Sequence, residues 1–236
     1  VLTVNELFSG IGAFRKALER LGIEHEIVGI SEIDKYAIQS YEAIYGKTRN
    51  YGDISKVEAL DYADLWTYGF PCQDLSQAGH QKGIIKGVTR SGLLYEVQRL
   101  LATAIGRSEA PKYLIMENVK PLVGNKFKPD FDGWLSWLYD NGYMTYWQIL
   151  NAKDYGIPQN RERVFAISIK KDFDRVFEFP DPIPRRFSFF DALEQTVDEK
   201  YYLDEKTVQM YENRTERMKR KGNGFEFDPI DRQTDR

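Results

Sequence analysis

The sequence predicts an α/β protein whose core is a mostly parallel sheet closed by one antiparallel strand. Three observations carry this. Short apolar runs alternate with segments of helical periodicity from Leu2 to Lys170. A glycine turn, Ser9-Gly10-Ile11-Gly12, follows the first run directly, and the second run ends at the carboxylates Glu32 and Asp34. Strand, glycine turn, helix, strand and acid, in that order, are the opening of a Rossmann-like nucleotide site.

Residues 2–8 form the first predicted strand, anchored by Val4, Leu7 and Phe8. The helix after the turn runs to Leu21, with Phe14, Ala17, Leu18 and Leu21 at helical spacing and Gly22 as its stop. A second strand covers 26–31. The next helix, over 34–45, places Ala37, Tyr41 and Ile44 on one face and ends at Gly46. Gly52-Asp53-Ile54 is read as the end of a third strand with a carboxylate at its tip. Leu65, Trp66 and Tyr68 belong to a buried strand that Pro71, lacking an N–H, brings to a stop.

Residues 77–92 are a long glycine-punctuated loop carrying Lys82, Lys86 and Arg90, a length typical of lids and binding loops. Leu93–Ile105 resumes as a helix with Leu94, Val97, Leu101 and Ile105 inward. Lys112–Met116 is a strand ending in Glu117-Asn118-Val119. Phe131, Trp134, Leu135 and Leu138 mark a helix that Gly142 ends. Tyr143–Leu150 and Val164–Lys170 are strands joined by a short connection, which favours a hairpin and hence the antiparallel strand. After Phe179 the composition changes: Pro180, Pro182 and Pro184 with Arg185-Arg186 mark a linker. Residues 1–180 are therefore expected to form the main domain, and 181–236 a linker and the start of a smaller region.

A chain of 236 residues can bury one full core. No apolar stretch approaches the roughly twenty residues of a membrane span, and no secretion signal opens the chain, so a cytoplasmic protein is expected. One cysteine excludes an internal disulfide, and with only two histidines, His25 and His80, no metal site is expected. Net charge is −3, from 33 basic and 36 acidic residues. That disfavours uniform coating of nucleic acid but allows a local basic face; basic residues gather in Lys82–Arg90, Arg161–Arg163 and Arg214–Lys221.

The candidate chemistry centres on Cys72, in Gly69-Phe-Pro-Cys-Gln-Asp-Leu-Ser76. A lone cysteine is ordinarily a small buried hydrophobe. A turn of Gly, Pro, Gln, Asp and Ser at a strand's carboxyl end is a poor place to bury sulfur and the usual place for a ligand. A free thiol has a pKa of roughly 8.5, so a nucleophilic thiolate needs neighbours that stabilise it. Glu117 at another strand end, with Arg161 and Arg163, supplies an acid and fixed donors on the same rim. A thiolate, an acid and a donor suit covalent addition to an activated double bond. Phe14-Arg15 stands where a dinucleotide fingerprint has its third glycine, which disfavours a pyrophosphate cofactor and leaves a phosphate-free nucleoside. Glu32 suits a ribose diol and Asp53 an adenine amino group. S-adenosylmethionine fits that description.

These residues resemble the DNA (cytosine-5) methyltransferase family of bacterial and phage modification enzymes. The motifs occur in the family's order: Glu6-Leu-Phe-Ser-Gly-Ile-Gly12, Ser31-Glu32-Ile-Asp34, Gly52-Asp-Ile-Ser55, Gly69–Ser76, Glu117-Asn-Val119 and Gln159-Asn-Arg-Glu-Arg163. The resemblance implies an S-adenosylmethionine-dependent methyltransferase fold and transfer of a methyl group to C5 of a flipped-out cytosine, leaving S-adenosyl-L-homocysteine. It implies that Cys72 attacks C6, that Glu117 contacts N3 and the exocyclic amine, and that Arg163, helped by Arg161, holds O2. It further implies that Phe8, Gly10 and Gly12 line the methionine and ribose side, Glu32 the ribose and Asp53 the adenine amine. Ile33 would pack on adenine, Pro71 and Leu94 would close the pocket, and Ser76, Lys82, Lys86 and Arg90 would belong to a DNA-closing loop. The implied partner is double-stranded DNA, with a cognate restriction endonuclease as second partner, in restriction–modification or phage self-protection; a monomer is expected. The family's closing motifs have no convincing copy here, so Arg185–Arg236 is expected only to begin the target-recognition region. An RNA cytosine methylase and a catalytically silent DNA-binding homologue stay open. A nicotinamide dehydrogenase is disfavoured by the glycine turn.

Overall fold

The computed structural model describes residues 1–71, 90–173, 175–184, 188–220 and 222. They divide into two units, one of Val1–Asn151 with Glu162–Asp181, the other of Ala152–Arg161 with the chain from Pro182 onward.

The first unit holds a six-stranded sheet. Its strands are β1 (Leu2–Leu7), β2 (His25–Ser31), β3 (Leu65–Tyr68), β4 (Tyr113–Val119), β5 (Tyr143–Asn151) and β6 (Glu162–Lys170). Their order is β2-β1-β3-β4-β6-β5. The pairs β1·β2, β1·β3 and β3·β4 are parallel, whereas β6 runs antiparallel to both β4 and β5. The α/β class, the mostly parallel sheet and the single reversed strand are as the sequence predicts. Because Leu7, Tyr68 and Met116 are in register, the residues after them share one carboxyl edge.

The helices are α1 (Ala13–Arg20), α2 (Lys35–Tyr45), α3 (Leu94–Gly106) and α4 (Lys128–Asp140). Asp34 caps α2, its carboxylate accepting from the amides of Tyr36 and Ala37 at 2.9 and 2.8 Å. Periodicity in α3 and α4 translates into packing: Val97, Leu100, Leu101, Phe131, Trp134 and Leu138 join Trp66, Tyr68, Leu114 and Met116 in the main core. Burial of such side chains contributes roughly 1.5–3 kcal/mol each. Of the four apolar positions predicted inward on the first helix, only Leu18 is buried; Leu21, beyond the helix end, is exposed. On α2 Tyr41 is buried and Ile44 exposed.

Gly52-Asp53-Ile54 does not end a strand. Asp53 instead caps a 3-10 turn, Ile54–Lys56, accepting from the amide and hydroxyl of Ser55 at 3.0 and 2.7 Å. Pairing here is limited to one parallel bridge, Ile30 with Asn50. The strand read as Lys112–Met116 continues through Glu117 to Val119, because β6 pairs it that far, Glu117 opposite Phe165.

In the second unit the Asp154 backbone carbonyl accepts from the amide of Ile183 at 2.9 Å. Its main element is α5 (Glu205–Arg220).

Candidate active site

The segment that leads to Cys72 leaves β3 as Gly69-Phe70-Pro71 and runs beside the end of β4. Asn118 donates its side-chain amide to the Phe70 carbonyl at 3.1 Å. A Cβ on Gly69 would lie 3.6 Å from Glu117 Oε2. The Glu117 carboxylate therefore faces the backbone three residues before the cysteine. Across the antiparallel pair, Arg163 Nε lies 3.0 Å from Glu117 Oε1, with both side chains largely covered. Arg163 also donates to the Glu162 carbonyl at 2.7 Å, which fixes the guanidinium. Lys120 bonds both oxygens of Glu162 at 2.9 Å, bracing the end of β4 against the start of β6. Cys72, Ser76, Lys82 and Lys86 lie outside the described residues, and Arg90 opens a short 3-10 turn, Arg90–Leu93. Arg161 belongs to the other unit from Glu117 and Arg163.

Along the same carboxyl edge lies a cavity of about 120 Å³. Phe8, Glu32, Ile33, Asp53 and Pro71 line it, all of them anticipated from the sequence, together with Ser31, Gly52, Ile54 and Leu93. Leu94, expected to close this pocket, is turned into the core at 4% exposure; the side chain one position earlier, Leu93, faces the cavity instead. A step of one residue turns a helix by about 100°, enough to exchange the two.

Glu32 organises this region. Its Oε2 accepts from the Gly10 amide at 2.9 Å, and Oε1 from the amides of Ile33 and Asp34 at 2.8 and 2.9 Å. Asn50 grips the same residue, donating to the Glu32 carbonyl at 3.0 Å and accepting from its amide at 3.2 Å. Hydrogen bonds from the Ser55 hydroxyl and amide hold the Asp53 carboxyl below the usual carboxylate range. Phe8, Gly10 and Gly12 all take positive φ, at 57°, 55° and 83°. Gly12 is required for a reason other than a ligand: a Cβ there would come within 2.5 Å of the Tyr45 ring and 2.8 Å of the Tyr41 ring.

Beneath that turn is a network to which the sequence reading assigned no role. Glu6, at 1% exposure, accepts from the Tyr41 hydroxyl at 2.6 Å and from the Arg15 amide at 3.0 Å. Tyr45 donates to the Gly12 carbonyl at 2.9 Å, and the Arg15 guanidinium covers the Tyr45 ring at 4.4 Å. Burial pushes the Glu6 carboxyl up, against the pull of the Tyr41 and Arg15 donors. An acid inside an apolar strand was the available signal.

The profile of C-5 cytosine-specific DNA methylases matches residues 2–236. The chain belongs to this family. A type II methyltransferase of Lactococcus lactis subsp. cremoris is 37% identical, over 88% of this chain and 72% of its own length. One from Neisseria lactamica is 37% identical, over 94% and 69%. Among solved structures, the S. pombe Dnmt2 methyltransferase superposes with a TM-score of 0.68 at 22% identity, over 89% of this methylase and 65% of that chain. The methylase chain thus spans about two-thirds of the length of these proteins. Among its described residues no helix is long and apolar enough to cross a membrane, and no group of three or more His, Cys, Asp or Glu could hold a metal.

Proposed function

We propose that this chain is the catalytic part of a DNA (cytosine-5) methyltransferase acting in restriction–modification. The observation that carries the reading is the Glu117 carboxylate, paired with Arg163 and set against Gly69, two residues upstream of Pro71-Cys72. In this reading the Cys72 thiolate adds to C6 of cytosine, and the displaced electron pair passes toward C5 and N3. Glu117 meets N3 and the exocyclic amine, and Arg163, with Arg161, holds O2. The electron-rich C5 then takes a methyl group; loss of the C5 proton and of the sulfur restores the aromatic ring as 5-methylcytosine. The attack is perpendicular to a base face that stacking covers, so the base must leave the duplex; Ser76, Lys82, Lys86 and Arg90 are the residues proposed to meet the DNA there.

The cavity residues fit S-adenosylmethionine. At about 120 Å³ the cavity is smaller than a usual small-molecule pocket and encloses only part of such a cofactor. It combines apolar walls from Phe8, Ile33, Ile54 and Leu93 with the Glu32 and Asp53 carboxylates. Ile33 is 73% exposed, an apolar surface suited to covering by a flat base. Glu32 would hold the ribose hydroxyls, Asp53 the adenine amine, and the Phe8–Gly12 turn the methionine end. When bound, the cofactor supplies an electrophilic methyl group. The type II names of the relatives support the restriction–modification role and duplex DNA as substrate.

The test is methyl transfer from labelled S-adenosylmethionine to unmethylated duplex DNA, with 5-methylcytosine read by mass. Because the chain spans only part of its relatives, both this chain and its gene's complete product are assayed, each with Cys72→Ser. The expected result is product from the wild type and none from Cys72→Ser, with cofactor binding intact. Product with the serine variant would sink the nucleophile assignment; product on RNA but not DNA would overturn the substrate.

A further inference from the structure

Helix α5 segregates its charges. At about 100° per residue, Glu205, Glu212 and Glu216 fall within about 40° of one another. Lys206, Met210, Arg214 and Arg217 fall within about 80° on a second face, while Val208, Tyr211 and Thr215 make the more covered third. A merely solvated helix interleaves signs, so that cations sit three or four residues from acids. Here the acidic face has its own partners: Arg220 reaches Glu216 at 3.4 Å and Gln209 donates to Glu212 at 3.1 Å. Lys206, Arg214 and Arg217 have no acidic partner among the described residues. With Gln209, Asn213 and Met218 the second face lines a groove of about 930 Å³. Among the described residues its polar groups are three cations and two amides, with no carboxylate.

We infer that the Lys206–Arg214–Arg217 face of α5 is an anchor for the phosphate backbone of duplex DNA. It rests on the DNA reading above and assigns a surface to it. A polyanion rich in acceptors is the complement of a stripe of cations that have no acidic partner among the described residues, flanked by amides. Lys206 to Arg217 spans about 16 Å, the axial rise of about five phosphates of one strand. Such contacts set position and affinity without reading bases. The net charge of −3 is no obstacle, because phosphate attraction depends on this local field.

The experiment measures affinity for several unrelated DNA duplexes by fluorescence anisotropy over a series of salt concentrations. It compares wild type with the triple variant K206Q/R214Q/R217Q, with Arg220→Gln outside the stripe, and with the charge-keeping pair R214K/R217K. Each phosphate contact contributes about 0.9 to the slope of log K against log salt, so the triple variant should lose about 2.7 of that slope. Its affinity should fall at least tenfold on every sequence, while S-adenosylmethionine affinity stays unchanged. R214K/R217K should keep the slope, which a structural role for the arginines would not allow. Wild-type DNA binding with an unaltered slope in the triple variant, or equal losses in Arg220→Gln, overturns the anchor alone. Absence of DNA binding by wild type overturns the DNA reading itself.

Discussion

Glu6 is a carboxylate at 1% exposure within a sheet, and such a group persists only where donors meet its charge or its proton is retained. The Tyr41 hydroxyl and the Arg15 amide are those donors, and the tyrosine also packs under Gly12. Tyr41→Phe keeps the ring and removes the O–H, leaving the acid short of a partner. The expected cost is about 1–3 kcal/mol in urea denaturation, part of which Glu6→Gln in the same background should recover. An unchanged midpoint would show that the bond carries no stability. Glu32 differs in kind, since its bonds to backbone amides set the shape of the edge proposed to hold the cofactor. Glu32→Ala should weaken S-adenosylmethionine binding at least tenfold by calorimetry. Affinity for DNA measured without cofactor should stay near wild type, and equal losses in the two assays would contradict a cofactor role.

At the scale of elements, the starts of β1, β3 and β4 are tied together by Asp64. Its carboxylate accepts from the amide and hydroxyl of Thr3 at 3.2 and 2.9 Å and from the Tyr62 hydroxyl at 2.9 Å, and Lys112 Nζ lies 2.7 Å away. Burial opposes the charge, but the Lys112, Thr3 and Tyr62 donors outweigh it and hold the carboxyl well below the usual range. A folded-state pKa below the unfolded value of about 3.9 stabilises the fold at neutral pH, and that stabilisation is lost as pH falls below about 4. Asp64→Ala should cost about 1.5–3 kcal/mol at pH 7, and the gap from wild type should narrow at pH 3 in chemical denaturation. A gap independent of pH would refute the electrostatic clip. The ties to Thr3 and Lys112 are not local, which marks the limit of what periodicity tells. The cores of α3 and α4 were legible because apolar spacing is a local signal. The extension of β4 through Glu117 was not, because β6 imposes it from 48 residues away, Glu117 to Phe165. Gly52-Asp53-Ile54 was misread because buried Ile54 looks like strand, while the Asp53–Ser55 cap that decides the turn is a side-chain event. In the site, the carboxylates and the apolar ring Phe8, Ile33 and Pro71 were visible in the motifs. The exchange of Leu94 for Leu93 turns on helix phase, and the grip of Asn50 on Glu32 on a tertiary contact.

Across the whole molecule, apolar burial is distributed unevenly. Among the described residues every buried hydrophobic side chain, from Val4 to Ile169, belongs to the unit of Val1–Asn151 and Glu162–Asp181. Among the described residues of the other unit only Gly156 and Thr215 are buried, while Tyr201, Tyr202, Leu203 and Met210 are more than half exposed. Ordering a backbone costs about 1–2 kcal/mol per residue, and without apolar burial little offsets it. The first unit contains all six strands and the described lining of the cavity proposed for the cofactor. Residues 1–181 expressed alone should therefore unfold in one cooperative transition and bind S-adenosylmethionine like the longer chain, while losing the α5 stripe and much of the affinity for DNA. Residues 182–236 alone should show at most frayed helix from α5, with circular dichroism falling gradually on heating and no cooperative step. A sharp melting transition in that fragment would mean that it carries a core of its own, and failure of 1–181 to bind cofactor would mean that its site depends on the rest of the chain.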